Sequence, residues 1–151
     1  MKRRRLIASD SGSRDYGAPP RRTLVDTSVW IEYLRNPALP GGDRLQSRLK
    51  KGALVTSGVV VAELLSGARS DRDRKLVEIL LDAMDSLDCG RGAWAEAGRL
   101  SALLGDHGLK VPLTDCLLAV LAVENRVSLF SLDRHFGLIA RHYPLELEDR
   151  G

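Results

Sequence analysis

Four carboxylates of this chain interrupt or end otherwise apolar runs. They are Asp26, Glu63, Asp115 and Asp133. An ionised carboxylate that loses its contact with water costs several kcal/mol unless a positive charge offsets it. No lysine or arginine lies within three residues of the first three of these acids. The sequence therefore predicts one acidic pocket, which the fold assembles and a divalent cation occupies.

The chemistry that such a pocket favours is metal-assisted cleavage of phosphodiester bonds. Oxygen ligands suit Mg²⁺ or Mn²⁺. Such an ion lowers the pKa of an attacking water and stabilises charge on the phosphate. Motifs of other chemistries are absent from the sequence, which has no phosphate-binding Gly-Lys-Ser/Thr loop, GxGxxG, GxSxG or HExxH. The three histidines also lack a spacing typical of zinc sites.

Short apolar runs alternate with amphipathic stretches along the chain. The apolar runs predict strands at 23–26, 53–56, 87–89 and 128–131, with a last edge strand at 145–147. The amphipathic stretches predict helices at 28–35, 43–51, 57–66, 72–85, 93–104 and 112–124. Strands that alternate with helices indicate βα units and a parallel sheet with helices on both faces. The predicted fold class is therefore α/β.

The predicted elements bring the four acids to one edge of the sheet. Parallel sheets bind ligands at the carboxyl ends of their strands. Asp26 and Asp133 come at or just after a strand end, and Glu63 follows the second strand within about two helical turns. Asp115 lies in the first turn of its helix. Helix N-termini stabilise negative charge by a few tenths to about 1 kcal/mol each, which does not neutralise four carboxylates, so a cation is still required.

Charge is distributed unevenly between the two parts of the chain. Residues 1–22 hold seven basic and two acidic residues, whereas the remainder holds 16 basic and 18 acidic ones. The net charge of +3 is thus weak evidence for a nucleic-acid surface on the folded body. Residues 1–21, rich in Arg, Ser, Gly and Pro, are expected to form a flexible basic extension. Residues 22–148 are expected to form one domain.

The compartment is predicted to be the cytoplasm. Two cysteines, Cys89 and Cys116, are too few for a disulfide framework. The basic start of the chain is not followed by the apolar core of a signal peptide. No apolar run reaches the length of a membrane span.

Four segments resemble, in order, the motifs of PIN-domain ribonucleases. They are LVDTSVW at 24–30, VAELLSG at 61–67, PLTDCLLA at 112–119 and SLDRHF at 131–136. The size resembles that of VapC-type toxins from type II toxin–antitoxin pairs. This resemblance implies a three-layer α/β/α sandwich with a central, mostly parallel sheet. It also implies a Mg²⁺- or Mn²⁺-dependent endoribonuclease that a VapB-type antitoxin blocks, and a homodimer is expected.

The resemblance also implies roles for single residues. The acidic quartet, Asp26, Glu63, Asp115 and Asp133, would hold the metal and carry catalysis. Ser28 matches the hydroxyl that hydrogen-bonds beside the first aspartate. Ser131 stands where Thr is common and keeps the hydroxyl. His135 stands where some relatives have a further acid.

Basic clusters on the body are candidates for RNA contact. One spans 44–51 and the other spans 69–75. Only 5% of the residues are aromatic, so contacts to phosphates are expected to outweigh base stacking.

Two other classes of protein fit parts of this pattern. One is a PIN-like scaffold that has lost catalysis and works by binding, but the intact quartet argues against it. The other is a receiver-like phosphoacceptor domain. That domain needs paired acids after its first strand and a lysine at the end of its last strand, and neither appears here.

Overall fold

A parallel sheet is the element that positions the predicted site. A computed structural model describes residues 21–38 and 40–149 of the chain. Within these ranges four parallel strands form one sheet in the order β3-β2-β1-β4. The strands are β1 (Thr23–Val25), β2 (Leu54–Ser57), β3 (Asp85–Leu87) and β4 (Ser128–Phe130).

The centre of the sheet is apolar on both of its faces. Leu24 of β1 pairs with Val55 of β2 on one side and with Leu129 of β4 on the other. All three side chains are fully buried and share one face of the sheet, and Val25 and Leu54, which point to the opposite face, are buried as well. Strands buried on both faces are typical of parallel sheets that helices cover on either side. The short apolar runs of the sequence therefore form the centre of the hydrophobic core.

Six of the seven helices in the described ranges form two packed groups. In the first group α1 and α4 pack against α3, and in the second α5 and α7 pack against α6. Together with the parallel sheet, these groups confirm the predicted α/β/α sandwich. The helices are α1 (Thr27–Arg35), α2 (Gly42–Lys50), α3 (Gly58–Gly67), α4 (Asp71–Asp82), α5 (Arg91–Asp106), α6 (Leu113–Glu124) and α7 (His135–Ile139).

Helix α6 is the most deeply buried helix of the described part. Every residue from 116 to 122 is buried, as expected of a helix that is apolar all round. This packing fixes the helix against α5, α7 and β4. It thereby holds Asp115, in the first turn of α6, in a fixed place.

Several elements differ from the sequence-based prediction, which also contains no counterpart of α7. Strand β3 was expected at 87–89 but begins at Asp85, and α4 accordingly ends at Asp82 rather than at 85. The first two residues of β3 are exposed, so the strand forms through backbone pairing with β2 and not through apolar burial. The expected edge strand at 145–147 is reduced to one bridge between Leu129 and Leu147.

The expected N-terminal extension lies outside the described residues except for its last residue. That residue, Arg21, forms an exposed ion pair with Glu146. None of the helices in 21–38 and 40–149 is long and apolar enough to cross a membrane.

Candidate active site

The first predicted site residue, Asp26, directly follows β1 and is only 6% exposed. It caps the N-terminus of α1. Its Oδ2 accepts hydrogen bonds from the backbone N of Ser28 (3.4 Å), Ser28 Oγ (2.6 Å) and Ser131 Oγ (2.7 Å). All three bonds end on Oδ2. They fix the orientation of the carboxylate, and Oδ1 is the oxygen that a ligand would take.

Two hydroxyls tie the end of β1 to the loop after β4. Ser28 Oγ accepts a hydrogen bond of 3.0 Å from the backbone N of Leu132. Ser131 Oγ accepts one of 2.9 Å from the backbone N of Asp133. Ser28 thus lies beside Asp26 as predicted. These bonds also fix the backbone that carries Asp133.

Asp133 and His135 lie together at the start of α7. Asp133 Oδ1 accepts a hydrogen bond of 2.9 Å from the backbone N of His135. The imidazole Nδ1 of His135 lies 2.9 Å from Asp133 Oδ1 and 3.4 Å from Asp115 Oδ2. Asp115, Asp133 and His135 each offer a ligand atom, and these atoms all lie within 4.8 Å of one another. Three residues from two distant segments therefore converge on one point.

Asp115 has a pKa well above the usual value of an aspartate. Burial is the largest cause that raises the pKa of Asp115 to about 6. The negative charges of Asp133 and Asp26 raise the pKa further, and Glu63 makes a smaller contribution. The neighbouring His135 acts in the opposite direction. All four predicted acids thus share one electrostatic environment.

Glu63 is placed differently from the prediction. Its apolar neighbours indicated a desolvated carboxylate, but the residue is exposed, because α3 buries Val60 and Leu64 instead. Thr27 Oγ1 donates a hydrogen bond to Glu63 Oε2. Thr27 is 8% exposed and was not predicted as a site residue. Its position between Asp26 and Ser28 is the one signal that the sequence offered.

The residues at this edge fit a divalent cation. Asp115 Oδ2 and His135 Nδ1 are buried atoms that lack a hydrogen-bond partner. Among the described residues, no lysine or arginine forms an ion pair with any of the four acids. A buried charge without a partner is costly. A cation between these carboxylates would offset that cost.

A groove of about 510 Å³ borders the acidic cluster, and Glu63 forms part of its wall. The groove runs between α1, α3 and α4. Its wall includes two arginines, Arg35 and Arg69, together with the exposed apolar side chains of Ile31, Leu34 and Leu76. Arg48, from the other basic cluster, lies instead 3.2 Å from Glu148 in an internal ion pair.

The fold and the site together define an α/β protein with an acidic cluster at the carboxyl edge of its parallel sheet. Comparison with known proteins gives the family. Residues 23–142 match the family model described as PIN domain. Over 122 residues the chain is 30% identical to Ribonuclease VapC11 of Mycobacterium tuberculosis. The aligned region covers 78% of this chain and 91% of that protein. The chain therefore belongs to the PIN domain family, and the resemblance seen in the sequence is confirmed.

Solved structures share the fold at lower sequence identity. The DNA-bound VapBC of Salmonella typhimurium matches with a TM-score of 0.71 and 21% identity over 85% of this chain and 98% of that one. VapBC-1 from nontypeable Haemophilus influenzae matches with a TM-score of 0.70 and 20% identity over 84% and 96%. These likenesses confirm the PIN-like sandwich.

Proposed function

We propose that this protein is a metal-dependent endoribonuclease and acts as the toxin of a type II toxin–antitoxin pair. Its relative VapC11 is named a ribonuclease, and its structural neighbours are VapBC complexes. The observation that carries the proposal is the convergence of Asp26, Asp115 and Asp133 from three separate segments. Ligand atoms of Asp115 and Asp133 lie within 4.8 Å of each other, and the hydroxyl of Ser131 links Asp26 to the backbone of Asp133. Such a cluster suits metal-assisted cleavage of RNA phosphodiester bonds.

Each acid has a definable role in the proposed site. Asp26, Glu63, Asp115 and Asp133 would hold Mg²⁺ or Mn²⁺, whose ordinary ligands are oxygens. The bound ion lowers the pKa of an attacking water and stabilises charge on the phosphate. The hydroxyls of the chain position these acids. Ser28 and Ser131 orient Asp26, and Thr27 orients Glu63.

The groove beside the cluster is the proposed path of the RNA. Arg35 and Arg69 lie on its wall with the site residue Glu63. Arginine binds phosphate through two parallel hydrogen bonds. Contacts of this kind fix the position of the strand without reading its sequence.

The same groove is the proposed seat of a VapB-type antitoxin. Its exposed apolar residues, such as Ile31 and Leu34, would accept the apolar face of an antitoxin segment. Occupation by that segment would exclude RNA. A cationic side chain at its end would also neutralise the acids in place of the metal.

The remaining predictions concern the state of the protein in the cell. A homodimer is expected, and sedimentation velocity of the purified chain checks it. A cytoplasmic location fits an RNA substrate and the two free cysteines, Cys89 and Cys116. The division into an extension at 1–21 and a nuclease domain at 22–148 belongs to the same proposal.

A cleavage assay tests the proposed function. Purified protein is incubated with end-labelled structured RNAs in Mg²⁺, in Mn²⁺ and in EDTA. We expect internal cuts that EDTA abolishes and either ion restores. The variants D26N and D115N should cut orders of magnitude more slowly, whereas D82N, on the exposed end of α4, should match the wild type. A wild type that binds RNA but cuts none of these substrates in either ion would favour the non-catalytic scaffold.

A further inference from the structure

His135 brings a nitrogen atom into a site whose other candidate ligands are oxygens. Its Nδ1 is buried and has no hydrogen-bond partner, and the same holds for Asp115 Oδ2. The backbone N of His135 is bound to Asp133 Oδ1, which fixes the residue at the start of α7. The ring is therefore held in the acidic cluster.

The distances around Nδ1 are those of neighbouring ligands on one ion. Nδ1 lies 2.9 Å from Asp133 Oδ1 and 3.4 Å from Asp115 Oδ2. Ligands at about 2.1 Å in an octahedral shell lie roughly 3.0 Å from their neighbours. Neither pair of atoms forms a hydrogen bond, since both Nδ1 of His135 and Oδ2 of Asp115 lack a hydrogen-bond partner. A shared ion satisfies both atoms at once.

Building on the metal-dependent function proposed above, we infer that Nδ1 of His135 is a metal ligand and makes the site select Mn²⁺ over Mg²⁺. Mg²⁺ prefers oxygen ligands and a nearly ideal octahedron. Imidazole suits ions of the first transition series, to which Mn²⁺ belongs as its weakest-binding divalent member and Mg²⁺ does not. Replacement of an oxygen ligand by this ring therefore weakens Mg²⁺ binding more than Mn²⁺ binding.

The rival role of His135 is purely electrostatic. A protonated imidazole beside Asp133 and Asp115 would reduce their mutual repulsion without touching the ion. In that case the ring would turn away from the bound metal or be repelled by it. The two roles differ in whether the nitrogen is bonded to the ion, which a spectrum can detect.

Binding measurements on the full chain separate these roles without reference to catalysis. Pulsed EPR of Mn²⁺, added at less than one equivalent, reports ¹⁴N coupling from a bound imidazole. Titrations with Mn²⁺ and with Mg²⁺ give the ratio of the two dissociation constants. The variants are H135N, which removes the ring, and H135D, which restores an all-oxygen site. H142N is the matched control, because His142 stacks on His107 with ring centroids 4.3 Å apart and lies outside the cluster.

We expect ¹⁴N coupling in the wild type and in H142N, and none in H135N or H135D. The preference for Mn²⁺ should fall by about tenfold or more in H135D, which should bind Mg²⁺ at least as well as the wild type. Wild-type Mn²⁺ without ¹⁴N coupling, or an unchanged preference in H135D, overturns the inference. If cleavage still required Asp115 in that case, the proposed nuclease function would remain supported although His135 is not a ligand. Conversely, ¹⁴N coupling in a protein that cuts no RNA would contradict the function and not the ligand.

Discussion

Ser131 Oγ donates a hydrogen bond of 2.7 Å to Asp26 Oδ2 across 105 positions of sequence. Both residues are buried, with 8% and 6% of their surface exposed. The same hydroxyl accepts a hydrogen bond from the backbone N of Asp133. One side chain therefore aligns two of the four acids, which lie at the ends of neighbouring strands.

Loss of that hydroxyl should weaken the metal site while the fold persists. Partners that orient metal ligands are worth about 10- to 100-fold in affinity or activity. We therefore expect S131A to bind Mn²⁺ and to cleave RNA at least about tenfold less well. S131T keeps the hydroxyl and should stay near wild type. Calorimetric Mn²⁺ titration and cleavage assays measure both effects, with S101A on α5 as the control.

Asp115→Asn should remove cleavage but stabilise the metal-free protein. The pKa of Asp115 is raised to about 6 in the folded state, above its usual value of 3.8. The folded state therefore binds more protons than the unfolded chain between these pH values, so wild-type stability rises as pH falls through 6. At pH 7.5 the ionised carboxylate of Asp115 destabilises the folded state, and the neutral amide of the D115N variant does not. We expect D115N to be more stable by about 1 kcal/mol after allowance for solvent screening.

Urea denaturation in EDTA measures this difference. The advantage of D115N should be present at pH 7.5 and should shrink toward pH 4, where the wild-type carboxyl is protonated. D82N should unfold like the wild type at both pH values. If D115N were less stable than the wild type at pH 7.5, the carboxylate would be stabilised by its surroundings and the metal-free pocket would not be self-repelling.

Much of the arrangement of the candidate site could be predicted, because local sequence patterns place most of its residues. A short apolar run followed by an acid encodes a buried strand and a ligand at its carboxyl end, as at Asp26. The first-turn position of Asp115 follows from Pro112 and the apolar helix behind it. Parallel pairing then brings such positions to one edge, whatever their separation in the chain.

The rest depended on contacts that no local pattern contains. The bond from Thr27 to Glu63 joins two helices, and its existence follows from how α1 packs on α3. The exposure of Glu63 depends on which face of α3 is covered, and the run of apolar neighbours could not reveal it. Strand β3 begins at Asp85 because backbone hydrogen bonds to β2 need no apolar side chains.

Glu148 lies at the amino ends of β1 and β4, away from the acidic cluster. Its contacts should make the stability of the protein sensitive to acid. Its Oε1 accepts hydrogen bonds of 2.8 Å from Thr23 Oγ1 and Ser128 Oγ, and a guanidinium nitrogen of Arg48 lies 3.2 Å from its Oε2. Burial would raise the pKa of Glu148, but these hydrogen bonds and the arginine charge together lower it. A lowered pKa means that the stabilisation is complete above the unfolded value of about 4.5 and is lost as pH falls through the folded value.

Substitution of Glu148 by Gln should therefore cost about 2 kcal/mol at pH 7. The cost should disappear under acid conditions, where the wild type loses the same charge. E146Q is the matched control, since the carboxylate of Glu146 forms an exposed pair with Arg21 and such pairs contribute little. Urea unfolding at pH 7 and pH 3 gives the comparison. Equal losses of stability in E148Q and E146Q would show that the contacts of Glu148 with Thr23, Ser128 and Arg48 do not hold the C-terminal segment.

Deletion of residues 1–20 should leave the melting temperature nearly unchanged. These residues lie outside the described part of the chain, and their composition cannot bury much apolar surface. They carry five basic residues, so deletion should weaken RNA binding and flatten its dependence on salt concentration. Thermal denaturation and filter binding at several KCl concentrations measure both quantities. A drop of many degrees would mean that the segment is docked on the domain.

Metal and antitoxin should compete for the acidic cluster. Without metal, Asp26, Asp115 and Asp133 repel one another, and a cationic side chain would neutralise them as a metal does. Arginine suits this role because its planar fork can bridge two carboxylates and stays charged at any working pH. We therefore expect rising Mg²⁺ or Mn²⁺ to relieve inhibition by a purified antitoxin beyond the effect of KCl at matched ionic strength. Inhibition that divalent ions leave unchanged would indicate that the antitoxin acts only by filling the RNA groove, with no arginine among the acids.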